Sequence, residues 1–143
     1  MKKVFLALCF LALSMPVLAE PGIAYRYVIT RVIDGDTIVF KAPFLPAPLK
    51  KELHLRIFGV DTPEKGGRAK CQKESDKGIQ ATEFAKQQVE KAKDAQIVLM
   101  SWDKFGGRVL GDVLLDGKSL RQMLIQSGYA REYYGESKAS WCK

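Results

Sequence analysis

The stretch Val32-Ile33-Asp34-Gly35-Asp36-Thr37 sets two acidic residues among apolar strand formers, and Asp61-Thr62-Pro63-Glu64 follows about thirty residues later. Alternation along a strand would point Asp34 and Asp36 to the same face. Asp-Gly and Asp-Thr-Pro are also common turn sequences, so each stretch alone fits a turn as well. Taken together, the two stretches predict a cluster of carboxylates that needs a hard cation as its counter-charge.

The residues around these stretches predict β-strands joined by irregular connections. Residues 24–30 and 31–40 are rich in aromatic and β-branched types, which are typical of strands. Three prolines make residues 41–51 an irregular connection, because proline cannot serve inside a ladder. Residues 53–58 alternate between apolar and other types, which places Arg56 on the less apolar face of a third strand.

The second half of the chain adds two helices and a hairpin. Ser75 or Asp76 can cap a helix that ends near residue 93, and Ser119 opens a capping-box signature for another helix. Residues 97–102 and 108–115 predict two strands joined by a turn.

This order of elements gives five antiparallel strands with one helix between the third and the fourth. It predicts a mainly β fold with α-helices (α+β). The expected architecture is a five-stranded Greek-key barrel of the oligonucleotide/oligosaccharide-binding (OB) type with two to three helices.

The N-terminus predicts export. A basic start and an apolar run end at a small-residue cleavage site before Glu20, so residues 1–19 are interpreted as a cleaved signal peptide. The run is short for a membrane span and is broken by Pro16. We therefore expect a periplasmic or secreted protein without a membrane anchor after cleavage. Residues 20–143, 124 of the 143, form a single domain with room for one core.

The charge and the cysteines of the mature chain carry two further expectations. Removal of the two lysines of the signal leaves 21 basic residues against 16 acidic ones, a formal charge of +5. This charge favours a polyanion partner, although an ordinary solvated surface explains it too. The even pair Cys71 and Cys142 predicts one disulfide in an oxidising compartment. Closing a loop of about 70 residues would stabilise the fold by roughly 4 kcal/mol in the chain-entropy picture.

The combination of acids and arginines predicts phosphodiester chemistry. Asp36, Asp61 and Glu64 would repel one another in a shared pocket, and all-oxygen donors select Ca²⁺, Mg²⁺ or Mn²⁺. Calcium suits an exported protein because it accepts irregular oxygen cages. The planar guanidinium groups of Arg56 and Arg108 are suited to binding phosphate oxygens. A carboxylate that does not bind the metal can act as general base. These parts describe a phosphodiesterase.

These motifs, with Asp103-Lys104-Phe105-Gly106 ahead of Arg108, resemble the staphylococcal nuclease (thermonuclease) family over about residues 27–134. The resemblance implies an OB-type barrel with helices. It also implies a calcium-dependent nuclease that acts on DNA and RNA, cuts the 5′ phosphorus–oxygen bond and leaves 3′-phosphate ends.

The resemblance also implies residue roles. Calcium would be bound by Asp36, Asp61 and the backbone carbonyl of Thr62. Glu64 would be the general base, and Arg56 and Arg108 would bind phosphate. The residues expected to contact the nucleotide are Lys104, Phe105 and Tyr134.

Three departures from the family pattern bear on these roles. Gly107 is an extra glycine ahead of Arg108, and Phe105 replaces a tyrosine. Few residues follow Tyr134, where better-known members continue into a third helix. We expect the Cys71–Cys142 bridge to replace that helix by pinning the tail, so that reduction lowers stability more than it changes the metal site.

Two other functions compete with the nuclease. The first alternative is a non-catalytic OB-type protein that binds nucleic acid or another polyanion, but the acid cluster would repel its ligand. The second is a calcium-stabilised structural domain, which would leave Arg56 and Arg108 unexplained. We therefore expect a monomeric nuclease with DNA or RNA as substrate.

Overall fold

The computed structural model describes residues 22–143. The predicted signal peptide, residues 1–19, lies outside this part of the chain. Within residues 22–143, every helix is too short or too polar to cross a membrane.

The described residues form two helices, one single-turn 3-10 helix and nine strands. The helices are α1 (Gln72–Lys91) and α2 (Leu120–Gln126), and the single turn is Gly66–Arg68. The strands are β1 (Ile23–Tyr25), β2 (Ile29–Asp34), β3 (Thr37–Lys41), β4 (Glu52–Ile57), β5 (Val60–Asp61), β6 (Ala95–Trp102), β7 (Arg108–Leu115), β8 (Lys118–Ser119) and β9 (Arg131–Glu132).

The five longer strands are arranged in the order β2-β3-β4-β7-β6, and β1 extends the sheet beyond β6. The mixed fold, with its β-sheet and two helices, confirms the predicted OB-type class. Not every pair is antiparallel, however: β4 and β7 run parallel. Parallel neighbours need a crossover connection, which α1 and β6 supply between them. The prediction of five purely antiparallel strands was wrong at this pair.

The acidic stretch at residues 34–37 is a hairpin turn rather than the middle of a strand. β2 and β3 pair antiparallel, with Asp34 opposite Thr37, and Gly35 and Asp36 form the turn. The predicted single strand over residues 31–40 was therefore wrong, because the Asp-Gly turn propensity prevails over the β-branched neighbours. The turn, and not strand alternation, sets the relative positions of the two aspartates.

The core lies between the sheet and the two helices. Its fully buried side chains come mainly from β3, β4, β6, β7 and α2, and they include Phe40, Leu55, Ile97, Val113 and Leu124. Burial of such side chains contributes roughly 1.5–3 kcal/mol each relative to exposure, so this core keeps β3, β4 and β7 in a fixed register.

The helix caps were predicted correctly for α2 and wrongly for α1. The Ser119 hydroxyl accepts a hydrogen bond from the amide of Gln122 at 3.2 Å, as the capping box predicts. The predicted caps of α1, Ser75 and Asp76, lie four and five residues too late in the chain. The N-cap is Cys71, whose Sγ accepts a hydrogen bond from the amide of Glu74 at 3.3 Å. Sulfur is an uncommon cap, and nothing in the local sequence indicates it.

Candidate active site

Asp36 and Arg56 meet at the end of the β2–β3 hairpin. Thr37 lies opposite Arg56 in the β3–β4 register, and the amide of Ile57 donates to the carbonyl of Asp36 at 2.8 Å. The ladder therefore brings Arg56 Nη1 to 3.1 Å from Asp36 Oδ2. Burial raises the pKa of Asp36 to about 6 against the lowering effect of the Arg56 guanidinium. Its charge is thus only partly compensated by one arginine.

Asp34 adds a second carboxylate beside Asp36 and raises its pKa further. Arg68 Nη2 lies 3.1 Å from Asp34 Oδ2, but Asp34 Oδ1 is buried without a hydrogen-bond partner among the described residues. A buried, unsatisfied carboxylate oxygen costs stability, so this atom marks a place where another donor or a cation would be favourable.

Gly35 allows this acidic hairpin to lie against the second acidic stretch. A Cβ atom placed on Gly35 would lie 2.9 Å from Ala81 Cβ on α1 and 3.1 Å from Thr62 Cγ2. A larger residue would push the hairpin away from Thr62. The glycine that makes the turn therefore also brings the two motifs into contact.

Asp61 is buried, and both of its carboxylate oxygens have partners from the far end of the chain. Its backbone pairs with Arg131 in the two-stranded β5–β9 sheet. Lys138 Nζ lies 2.6 Å from Oδ1, and Trp141 Nε1 donates to Oδ2 at 2.9 Å. Sequence spacing gave no indication that residues about 80 positions away would form a hydrogen bond and an ion pair with this carboxylate.

Glu64 lies on the loop between β5 and α1 and is more accessible than the aspartates. Arg68 Nε lies 3.3 Å from its Oε2. Its amide donates to Glu74 Oε1 at 3.3 Å, and the other oxygen of Glu74 accepts from the amide of Lys70 at 2.8 Å. A Cβ on Gly78 would lie only 2.4 Å from the carbonyl oxygen of Glu64, so the loop rests directly on α1. Glu74 and Gly78 therefore fix this loop.

Arg108 reaches the site despite the extra glycine. Gly106 and Gly107 adopt φ angles of +65° and +62°, which L side chains rarely adopt, so both glycines are used to form the turn. Arg108 Nε donates to Asp103 Oδ2 at 2.5 Å, and its guanidinium lies 5.4 Å from the ring of Phe105. The longer turn thus leaves Arg108 paired and oriented.

A cavity of about 530 Å³ brings the arginines together with exposed aromatic rings. Trp102, Phe105 and Tyr134 are 63%, 72% and 60% exposed. Base stacking on such rings and phosphate contact with nearby guanidiniums are the two ways in which proteins hold single strands. The residues predicted from the sequence that line this larger cavity are Arg56, Lys104, Phe105, Arg108 and Tyr134.

A second cavity, of about 270 Å³, contains three more of the predicted residues. Asp61, Thr62 and Glu64 line it, together with Arg68 and Trp141. Lys138 lines both cavities, and the Asp36–Arg56 pair connects the acids to the arginines. The predicted residues therefore form two adjoining groups rather than a single pocket.

A sequence model of the family described as staphylococcal nuclease homologues matches residues 54–141. The chain belongs to the staphylococcal nuclease family. Endonuclease YhcR of Bacillus subtilis (strain 168) is 29% identical to it over 115 residues, which cover 77% of this chain and 9% of that protein. The chain thus spans about a tenth of the length of this relative. The resemblance seen in the acidic and basic motifs is confirmed, and the domain is of a nuclease family.

The donor atoms of this staphylococcal nuclease domain fit a hard cation. Within residues 22–143, no three His, Cys, Asp or Glu side chains lie close enough to form a metal cluster by themselves. A set of two carboxylates and one carbonyl, as the family resemblance implies, does not require three such side chains. The unpartnered Asp34 Oδ1 and the buried carboxylate of Asp36 are the features that favour a cation here.

Sequence reasoning missed four residues that shape the nuclease site. Glu74 and Gly78 looked like ordinary helix positions, and their role depends on the loop that packs against them. Lys138 and Trp141 lie in a stretch without regular secondary structure. The position of Trp141 next to Cys142 was the one available signal, because a disulfide to Cys71 carries its neighbour toward α1.

Proposed function

We propose that this protein is an exported, calcium-dependent nuclease that hydrolyses phosphodiester bonds of DNA and RNA. The observation that carries the proposal is the ion pair between the buried Asp36 and Arg56. It joins a cation-binding carboxylate to a phosphate-binding guanidinium that lines the larger cavity. An OB-type barrel that only bound nucleic acid would have no use for this arrangement.

In the proposed reaction, Arg56 and Arg108 hold the non-bridging oxygens of the scissile phosphate by their planar forks. Glu64 accepts a proton from the attacking water, whose oxygen bonds to phosphorus as the bond to the 5′ oxygen breaks. The leaving 5′ oxygen takes up a proton from solvent, so that a 3′-phosphate end and a 5′-hydroxyl end remain. Arg68 forms an ion pair with Glu64, and this ion pair must loosen before water can approach the Glu64 carboxylate.

Asp36, Asp61 and the carbonyl of Thr62 are the proposed calcium ligands. Bound calcium would neutralise the charge that develops on the phosphate oxygens. The half-exposed Lys138 would have to leave Asp61 Oδ1 to make this possible. The nucleotide bases would stack on the exposed rings of Phe105 and Tyr134, beside Lys104.

Export is part of the same proposal. A Cys71–Cys142 bridge, with Cα atoms 6.1 Å apart, supports a mature protein that folds in an oxidising periplasm or outside the cell. The N-terminal sequence of the exported, monomeric protein should begin at Glu20, and retention of residues 1–19 would contradict this part of the proposal.

The non-catalytic alternative has one observation in its favour. Glu64 and Asp61 are both paired with basic side chains, Arg68 and Lys138, so a polyanion-binding protein could in principle keep its acids neutralised. The two functions differ in one measurable property, which is turnover.

The test is cleavage of supercoiled plasmid and of single-stranded DNA and RNA by oxidised residues 20–143, with CaCl₂ and with EGTA. We expect calcium-dependent cutting. Glu64→Gln should lower kcat by about 10²- to 10⁴-fold and leave nucleic-acid binding intact, because it removes the base but not the cavity.

Glu83→Gln is the matched control, since Glu83 is exposed on α1 and pairs with Lys86. It should cut like the wild type. Equal turnover in Glu64→Gln and the wild type would exclude Glu64 as the base. Binding without cutting in every divalent ion would favour the non-catalytic alternative.

A further inference from the structure

Trp141 is a buried tryptophan in a stretch without regular secondary structure. It is only 7% exposed, and its indole N–H donates a hydrogen bond to Asp61 Oδ2 at 2.9 Å. Indole has a single donor and no acceptor, so the orientation of the ring is fixed by this bond. None of the residue roles proposed above involves Trp141.

Several contacts hold the indole in place. The guanidinium of Arg131 lies 3.7 Å from the centre of the ring, and Lys77 Nζ lies 5.6 Å from it. Arg131 also donates to the carbonyl of Ser140 at 3.1 Å and lies opposite Asp61 in the β5–β9 pair. The next residue, Cys142, is bonded to Cys71 at the start of α1. The indole is therefore constrained by strand, helix and disulfide together.

A hydrogen bond to one oxygen of a carboxylate leaves most of its lone pairs available. An ionised carboxylate has about four acceptor sites, so the Trp141 bond occupies one of them. Such outer partners orient metal-binding carboxylates, and their loss typically costs about 10- to 100-fold in metal affinity. Lys138 differs because its side chain is half-exposed and is held by the ion pair and by a contact with the ring of Tyr133, 5.4 Å from Nζ.

Resting on the proposed calcium-dependent function, we propose that Trp141 is a positioning residue: its indole N–H orients the Asp61 carboxylate for calcium, and the Cys71–Cys142 disulfide keeps the indole there. The disulfide then has a direct effect on the metal site. Under this proposal, loss of the bridge is expected to weaken calcium binding as well as to lower stability.

The test is calorimetric titration of oxidised residues 20–143 with CaCl₂ in the absence of nucleic acid. Trp141→Phe keeps an aromatic ring under Arg131 but removes the N–H together with the five-membered ring of the indole. We expect its calcium Kd to rise about 10- to 100-fold. The melting temperature measured in EGTA should fall as well, because the smaller ring leaves a cavity at this buried site, and it reports that loss separately from calcium binding. Trp102→Phe makes the same chemical change at the exposed Trp102, which lines the larger cavity and not the cavity that contains Asp61, and it should leave the calcium Kd unchanged.

A second variant covers the case in which Trp141→Phe folds poorly. The double variant Cys71→Ser and Cys142→Ser frees the tail but keeps a good helix cap, because serine is a preferred N-cap residue. Its calcium Kd should rise in the same direction, and its melting temperature should fall as well. In Trp141→Phe, saturating calcium should restore the wild-type kcat, which a general loss of structure would not allow.

Two negative results have different meanings. A wild-type protein that binds no calcium would overturn the calcium-dependent function, and the role of Trp141 with it. A wild-type protein that binds calcium with the same Kd as Trp141→Phe would overturn the role of Trp141 alone.

Discussion

The two halves of the site are held in place by different forces. Arg56 and Arg108 form the sheet-held half, at positions that the β3–β4 and β4–β7 ladders fix residue by residue. The turn residue Asp36 joins this half because its carbonyl accepts a hydrogen bond from the amide of Ile57. Asp61 and Glu64 form the loop-held half, where single side chains and one close backbone approach replace the ladder. The comparison teaches that the arginines depend on the core as a whole, whereas the acids depend on a few individual contacts.

Among the substitutions that test this comparison, the one with the largest expected effect lies in the sheet-held half. Arg108→Lys keeps a positive charge beside Asp103 but loses the fork that binds two phosphate oxygens. Because the ladder and the core are untouched, we expect kcat to fall by roughly 100-fold while the melting temperature barely changes.

Nuclease assays and thermal unfolding of the same samples check this. Arg26→Lys, at an exposed arginine that pairs with Asp94, is the control and should change neither quantity. A large drop in melting temperature for Arg108→Lys would show that this half is not independently rigid, which would weaken the comparison.

A smaller effect is expected where the loop-held half rests on α1. Gly78→Ala should improve helix propensity by about 1 kcal/mol, but its Cβ would come to 2.4 Å from the carbonyl oxygen of Glu64. Because that neighbour is backbone, the loop must move, and we expect kcat to fall roughly tenfold and the melting temperature to drop.

Gln80→Ala, at an exposed position on the same helix, gives the propensity change without the contact and should keep the wild-type kcat. If Gly78→Ala proved more stable than the wild type and equally active, the loop would be free to adjust, and the distinction between the two halves would fail.

The smallest expected effect concerns Lys138. Lys138→Met removes the cation from Asp61 Oδ1 and should tighten calcium binding roughly two- to fivefold, the range that a half-exposed ion pair supports. Calorimetric titration with CaCl₂ checks the sign, which is opposite to that expected for Trp141→Phe. Weaker binding in Lys138→Met would mean that the lysine helps to shape Asp61 rather than competing for it.

The sequence predicted what local motifs and residue chemistry determine. The acids, the two arginines and the cysteine pair were identified from short stretches, and the OB-type class followed from the order of the elements. The β2–β3 turn at Gly35 was assigned to a strand because valine, isoleucine and threonine surround it. The choice between turn and strand depends on which neighbour pairs with which, and a single stretch does not contain that information.

Long-range contacts escaped prediction for a related reason. The bond from Trp141 to Asp61 and the support of the Glu64 loop by Glu74 depend on how distant segments pack, and neither leaves a periodic signal. The predicted disulfide limited where the C-terminal tail could lie, because it joins the tail to the start of α1. Its consequence for Asp61 required the observed position of the neighbouring indole.

The separation of Trp141 from Asp61 also bears on the order in which the site is assembled. The two residues lie 80 positions apart, whereas the hairpin that carries Asp36 closes over a few residues. Local closure is fast, and contacts between distant residues form late, because the entropy of the intervening chain must first be overcome. During folding, the pair of Asp36 and Arg56 should therefore form before Trp141 reaches Asp61, so that a newly made chain would have Asp36 in place before Asp61 is oriented for calcium.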